Sequence, residues 1–229
     1  MRRVIDTESI IEVATALGDL NEKSMFVGGS VVSVYINDPA ADEMRPTKDI
    51  DIALQIVTLG QLEQTRQALA KKGFHQDPEE TVVCRFIYEG ILVDVMSTKE
   101  IGWAPANKWF HEGFSHLEKV LLEGGVAINV LPLAYFLASK FEAYHGRSND
   151  PRTSHDLEDI VFVLDNRIGL VESILSSPES VLAYLRSEFT ALLTPEMEEA
   201  VFSHMNPFSR KERHPLLILK LQTIIRSGK

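Results

Sequence analysis

Two aspartates in alternation, Asp49 and Asp51, constrain this chain more than any other feature, because they lie in the apolar segment Asp-Ile-Asp-Ile-Ala-Leu. On a strand, residues two apart point to the same face, so these carboxylates lie about 6.5–7 Å from each other. A strand of the core does not normally carry two unpaired carboxylates on one face, because their repulsion and desolvation are costly. The simplest compensation is a divalent metal that bridges them, so the pattern predicts a metal site.

A third carboxylate strengthens the prediction of a metal site. Asp94 stands in the similar strand pattern Ile-Leu-Val-Asp-Val-Met-Ser. Carboxylate oxygens suit Mg²⁺, and two such ions can clamp the attacking and leaving oxygens of an in-line displacement. Asp49 and Asp51 would then hold the ion bound to a triphosphate. Asp94 would hold the ion near the acceptor and could act as general base. The alternative is an edge strand with solvated acids, or acids paired with Lys48 or Arg45.

A glycine-rich turn precedes the aspartates by roughly twenty residues. Gly28 and Gly29 follow a short apolar segment and are followed by Ser30. Glycines let the backbone approach a ligand closely, and free N–H groups at the start of a helix attract phosphate. Such a turn alone is weak evidence, but its position before the paired aspartates predicts a phosphate-binding loop.

The pattern of elements predicts an α+β fold, a mixed sheet with flanking helices, followed by an all-helical half. We place the domain boundary between 1–131 and 132–229, because strand patterns end there. Ser9 and Glu12 predict the capping box of the first helix, and 98–124 show no clear period. Predicted strands cover 25–27, 48–54, 82–88, 91–96 and 126–131, and predicted helices cover 9–22, 30–36, 58–72, 133–145, 154–166, 178–193, 195–205 and 215–225.

Charged residues also occur in the helical half. Lys140 interrupts an otherwise apolar helical run, and Asp156 and Asp159 are three residues apart on one face of the next helix. A buried lysine is unfavourable unless it is paired. We therefore expect Lys140 to face a phosphate or an acid such as Asp156, the alternative being an exposed lysine.

Composition narrows the class of protein. The net charge of −10 argues against a broad nucleic-acid-binding face, although 208–229 are basic. The longest apolar runs are too short to span a membrane, and the first residues lack the apolar core of a secretory signal. The single cysteine, Cys84, excludes a disulfide within the chain. These features predict a cytoplasmic protein.

Taken together, these residues resemble the DNA polymerase β-type nucleotidyltransferase superfamily, and its AbiEii/AbiGii-toxin-like branch in particular. Members carry a Gly-Gly or Gly-Ser turn, then Arg-x-Thr/Ser-x-Asp-x-Asp, then a third carboxylate on a later strand. A helical Lys, an Arg and a helix with Asp-x-x-Asp follow. The matching residues here are Gly28, Gly29, Ser30, Arg45, Thr47, Asp49, Asp51, Asp94, Lys140, Arg147 (with Arg152 also available), Asp156 and Asp159.

The resemblance implies transfer of a nucleoside monophosphate from a nucleoside triphosphate to an acceptor hydroxyl, with two Mg²⁺ ions held by the three aspartates. Ser30 and the glycine amides would hold the β- and γ-phosphates. Lys140 would contact the triphosphate with support from Asp156, and Arg45 and Thr47 would complete the nucleotide-binding set.

The acceptor is left open by the sequence. An RNA end or a protein side chain would fit a toxin with an antitoxin partner, whereas a cationic small molecule such as an aminoglycoside would be attracted by the acidic body. A non-catalytic nucleotide-binding module is a third reading, which the presence of all three aspartates disfavours.

Overall fold

The computed structural model describes residues 5–78, 81–147 and 150–227. The chain divides into two compact units. The first comprises 1–31 and 45–132, and the second comprises 32–44 and 133–229. The segment 32–44, which the sequence analysis placed in the first domain, thus belongs to the second unit.

The first unit contains a mixed six-stranded sheet of order β3-β4-β2-β1-β6-β5. β1 pairs antiparallel with β2, which pairs parallel with β4, while β1 also pairs parallel with β6. The outer strands β3 and β5 pair antiparallel with β4 and β6. The strands are β1 (Ser24–Val27), β2 (Asp49–Leu54), β3 (Arg85–Tyr88), β4 (Ile91–Ser97), β5 (Glu118–Leu121) and β6 (Ala127–Val130), and the helices of this unit are α1 (Thr7–Leu17), α2 (Leu59–Lys71) and α3 (Phe110–Gly113).

The aspartate-bearing strand lies inside the sheet. β2 has β4 on one side and β1 on the other, so the predicted alternative of an edge strand is wrong. Ile50 and Ile52 are fully buried on one face, while Asp49 and Asp51 on the other face are half-buried. The period of two in the sequence therefore separates a core face from a face that solvent reaches.

The first helix begins differently from the prediction. The predicted capping box of Ser9 and Glu12 is wrong, because Asp6 is the N-cap residue of α1. The Asp6 carboxylate accepts hydrogen bonds from the Ser9 backbone N–H at 2.8 Å and from the Ser9 hydroxyl at 2.7 Å. An aspartate in this position satisfies a free helix N–H and stabilises the positive end of the helix dipole.

The hairpin between β3 and β4 follows the sequence closely. Its two turn residues, Glu89 and Gly90, have φ of +46° and +82°. Positive φ at both central positions is typical of a two-residue turn whose twist matches that of the strands. The turn fixes the register, and Tyr88 pairs with Ile91.

The strand β5 was not predicted, because its residues are mostly exposed and show no clear alternation.

The predicted order of strands first and helices afterwards is confirmed. In the described part of the second unit the regular elements are all helical: α4 (Leu133–Gly146), α5 (His155–Asn166), α6 (Leu170–Leu175), α7 (Glu179–Leu192), α8 (Pro195–His204) and α9 (Arg210–Arg226), with 3₁₀ turns at Gly29–Tyr35, whose later part belongs to this unit, and at Pro151–Thr153.

The segment 32–44 is held in the second unit by packing and by charge. The Tyr35 ring stacks on Phe136 of α4 with a centroid distance of 4.0 Å. Arg213 of α9 donates to Asp38 at 2.9 Å and to both carboxylate oxygens of Asp165 at 2.9 Å. These contacts join residues far apart in the sequence, which is why the segment could not be assigned from local patterns.

Candidate functional site

Charged residues form one row across three adjacent strands of the first unit. Asp51 of β2 pairs with Asp94 of β4, and Asp94 pairs with Arg85 of β3. Residues paired directly across strands point to the same face of a sheet. Asp49 stands two residues before Asp51 on the same face. We call Asp49, Asp51, Asp94 and Arg85 the acid row.

Arg85 connects two of the three carboxylates. Its Nε donates to Asp94 Oδ1 at 2.7 Å and its Nη2 donates to Asp94 Oδ2 at 2.8 Å. The same Nη2 donates to Asp49 Oδ2 at 2.8 Å. The side chains of Arg85 and Asp94 are each 14% exposed, and that of Asp49 is 34% exposed. Arg85 thus brings a positive charge to two of the three predicted metal ligands.

The carboxylate of Asp51 lies against the glycine turn. Gly28 has φ of +74°, and a Cβ atom built on it would lie 1.8 Å from Oδ2 of Asp51. The position therefore requires glycine for two reasons, the left-handed backbone and the space that the carboxylate occupies. The register agrees, because Val27, the residue before Gly28, pairs with Asp51.

Ser30 carries an unusual hydroxyl. The residue is 4% exposed, and its Oγ has no hydrogen-bond partner among the described residues. Burying a hydroxyl without a partner costs about 1–3 kcal/mol, so such a group usually meets a ligand or water. Of the other predicted nucleotide-binding residues in this unit, Thr47 is buried and its carbonyl accepts from the N–H of Ile5, while Arg45 is half-buried.

Two of the three predicted metal ligands, Asp49 and Asp94, are bound to Arg85 in this structure. Among the residues that the structure describes, no group of three or more histidine, cysteine, aspartate or glutamate side chains could hold an ion. The guanidinium of Arg85 binds both oxygens of Asp94 and one oxygen of Asp49. The three aspartates share one face of the sheet, and carboxylate oxygens are the ligand type that Mg²⁺ prefers, so they stay the predicted metal ligands.

Sequence reasoning missed Arg85 and considered Lys48 and Arg45 as partners instead. The signal was present in the hairpin. Counting outward from the turn residues Glu89 and Gly90 places Arg85 opposite Asp94, because both lie four residues from the turn. Residues at such positions are cross-strand partners.

The cysteine beside Arg85 is a buried thiol, as predicted. Cys84 is 7% exposed, and burial raises the pKa of its thiol to about 11, with a further contribution from the nearby carboxylate of Asp94. A thiol with a raised pKa stays protonated at neutral pH and is a poor nucleophile. Cys84 therefore adds no reactive group to the acid row.

The second unit contains its own buried charge cluster. Lys140 of α4 donates to Asp159 Oδ2 at 2.6 Å and to Asp156 Oδ1 at 3.3 Å, both on α5. The lysine side chain is 7% exposed, and the two aspartates are 5% and 2% exposed. Arg147 donates to the other oxygen of Asp156 at 2.7 Å. Lys140 was expected to face a phosphate or an acid, and in the structure it is paired with two acids, Asp156 and Asp159.

Among the described residues, none of the helices is long and apolar enough to cross a membrane.

A family model described as the nucleotidyl transferase AbiEii toxin of a type IV toxin–antitoxin system matches residues 13–215. The chain belongs to this family. Membership confirms the resemblance drawn from the Gly-Gly-Ser turn and the aspartates, and it confirms the predicted enzyme class, a nucleotidyltransferase. The matched region extends through both units of the AbiEii-family chain.

One solved structure supports the fold. The crystal structure of an antigenic nucleotidyltransferase-like protein from Paracoccidioides brasiliensis is similar with a TM-score of 0.50. The two sequences are 14% identical, and the similarity covers 96% of this chain and 95% of that chain. At this identity the similarity concerns the fold alone. No curated protein matches the chain.

The contact between Gly28 and Asp51 yields a first prediction. Gly28→Ala should lower the free energy of unfolding by more than the same change at Gly124, which has a similar φ of +75° but no atom within 4 Å of its built Cβ. The shared backbone strain is about 1–2 kcal/mol, and the clash with Asp51 adds to it at Gly28 alone. Urea unfolding of both variants measures the difference, and equal losses would contradict the close approach.

The buried cluster of Lys140, Asp156 and Asp159 in the second unit yields a second prediction. Lys140→Met should cost about 3–5 kcal/mol, because it leaves Asp159 buried without its cation. The double variant Lys140→Met/Asp159→Asn should recover part of this loss, since the uncompensated charge is gone. Lys211→Met, at an exposed position, is the control and should change stability by less than about 0.5 kcal/mol. A Lys140→Met variant as stable as the control would show that the pair contributes little.

Proposed function

We propose that this nucleotidyltransferase transfers a nucleoside monophosphate from a nucleoside triphosphate to an acceptor hydroxyl, and that it is the toxin of a toxin–antitoxin pair. One observation carries the proposal. The Gly-Gly-Ser turn and the acid row adjoin one another, with the Asp51 carboxylate against Gly28. This contact supports a site in which the turn would bind phosphate beside the carboxylates that would carry the reaction.

The turn supplies the phosphate-binding side of the proposed site. The hydroxyl of Ser30 is buried and has no partner among the described residues, so a phosphate oxygen accepting from it would satisfy it. Gly28 and Gly29 have no side chains that would keep a triphosphate from the backbone. Arg45 and Thr47, from the segment before β2, complete the proposed nucleotide contacts.

The acid row supplies the reacting side. The acceptor oxygen attacks the α-phosphorus, the bond from that phosphorus to the bridging oxygen breaks, and pyrophosphate leaves. The proton of the acceptor hydroxyl passes to a carboxylate of the row, and Asp94 is the proposed base. Mg²⁺ is the proposed cofactor, for which carboxylate oxygens are the usual ligands and which would neutralise charge on the triphosphate.

The roles predicted for Lys140 and Asp156 stay predictions. Their buried ion pair within the second unit supports a role in joining α4 to α5. A structural role of this kind is compatible with loss of activity on mutation, so activity alone would not separate it from a nucleotide contact.

The proposed acceptor is an RNA end or a protein side chain, consistent with membership of a toxin family. A cationic small molecule is a second candidate, which the net charge of −10 favours through long-range attraction. A toxin should arrest growth when expressed, whereas a small-molecule transferase should protect cells from a cationic antibiotic without arrest. An antitoxin would be the partner in the first case.

The test of the proposal is transfer of label from each α-labelled nucleoside triphosphate with Mg²⁺, offering RNA and protein acceptors separately. Wild type should label one acceptor class with release of pyrophosphate. Asp51→Asn, which removes one charge and keeps the shape, should lower the rate at least about 100-fold, as loss of a charge at a reacting centre does. Ser30→Ala should raise the KM for the nucleotide more than it lowers kcat.

Asp77→Asn is the matched control, because Asp77 is an exposed aspartate of the same unit. It should leave transfer unchanged. Transfer that persists in Asp51→Asn at the rate of this control would contradict the proposed site. Absence of transfer to any acceptor, small cationic molecules included, would contradict the reaction itself.

A further inference from the structure

We propose that Arg85 is an internal counter-cation of the acid row, and that a divalent ion reaches Asp49 and Asp94 only by displacing its guanidinium. The inference rests on the proposed function, since it concerns how the cofactor enters the same site. It starts from the finding that the three aspartates share one face of the sheet, where Arg85 binds two of them.

The contacts of Arg85 match those of a bridging ion. Its guanidinium binds both oxygens of Asp94 and one oxygen of Asp49, at 2.7 to 2.8 Å. A planar guanidinium presents donors in a fork that fits a carboxylate at two points. The fork joins carboxylates from two neighbouring strands, as an ion bridging them would.

The charges of the row explain why a cation stabilises it. Three carboxylates lie on one half-buried face, and Arg85 offsets part of their negative charge. Asp51 and Asp94 are direct cross-strand partners, a placement that is destabilising for like charges. Arg85 therefore stabilises the metal-free row, and a divalent ion would do the same more strongly.

The guanidinium and the ion compete, because they need the same oxygens. Mg²⁺ requires oxygen ligands at about 2.0–2.1 Å in near-ideal geometry. Both oxygens of Asp94 already accept from Arg85, and the positive guanidinium repels a second cation at that distance. Release of the guanidinium leaves the pairing of β3 with β4 in place, because that pairing is made by the backbone.

A different role would give the opposite result. If Arg85 served to hold Asp94 in position as a metal ligand, its removal would weaken ion binding. If Arg85 acted only through its charge, a lysine at this position would leave the affinity for the ion unchanged. Removal of any other nearby positive charge would then raise that affinity as much as removal of Arg85. Measuring how tightly Arg85 variants bind the ion therefore separates three roles: competition with the ion, positioning of Asp94, and a general charge effect.

The experiment titrates the full chain, without nucleotide, with Mn²⁺ by calorimetry and follows its melting temperature. Arg85→Gln removes both the positive charge and the forked donors of the guanidinium. Arg85→Lys keeps the charge but cannot bind two carboxylates with a fork. Lys48→Gln is the control, because it removes an exposed positive charge next to Asp49. We expect both Arg85 variants to bind Mn²⁺ about tenfold tighter than wild type and Lys48→Gln to stay within about twofold.

The melting temperatures give an independent readout that needs no activity. Without Mn²⁺, Arg85→Gln should melt below wild type, because Asp49 and Asp94 lose the guanidinium that binds them. Saturating Mn²⁺ should raise its melting temperature by more than that of wild type. If Arg85→Gln does not fold, Arg85→Lys carries the test alone.

Equal or weaker Mn²⁺ binding by the Arg85 variants would overturn the inference, as would an equal effect of Lys48→Gln or absence of Mn²⁺ binding in every variant. Nucleotide transfer by wild type is scored separately. Transfer without tighter Mn²⁺ binding would refute the displacement and leave the proposed function standing. Tighter binding without transfer would refute the function and leave the displacement standing.

Discussion

The compensation of negative charge on one face of the sheet governs the first unit. Asp49, Asp51 and Asp94 are brought together by the pairing of β2 with β4, and the resulting repulsion must be offset for the sheet to form. Arg85 offers that offset from the neighbouring strand through three hydrogen bonds. The buried side of the same strands, with Ile50 and Ile52, fixes the register that places these charges side by side.

Both units place a cation between two carboxylates, but at different depths. Lys140 lies between Asp156 and Asp159, where all three side chains are 7% exposed or less. In the acid row, the side chain of Asp49 is 34% exposed. Desolvation makes the first cluster costly to separate, which suits a fixed contact between helices. The more open row is the place where we propose that a divalent ion displaces Arg85.

Much of the site followed from local pattern, and the rest depended on pairing between distant residues. The alternation of Asp49 and Asp51 with apolar residues revealed both the strand and its charged face, because the period of a strand is two. Arg85 required the register of the hairpin as well. The segment 32–44 groups with the second unit through contacts such as Asp38 with Arg213, which join residues that are far apart in the chain and which no local pattern shows. Family membership confirmed the class of enzyme, whereas the acceptor depends on surfaces that no motif describes.

The most direct measurement is a pair of crystal structures of the wild-type chain, one grown without divalent ions and one soaked in Mn²⁺, whose anomalous signal locates the ion. The account predicts that Arg85 binds Asp94 and Asp49 in the first structure. In the second, an ion should contact Asp94, and the guanidinium should have left it. An ion bound to Asp94 while Arg85 still holds both of its oxygens, or an ion that avoids the acid row, would contradict the account.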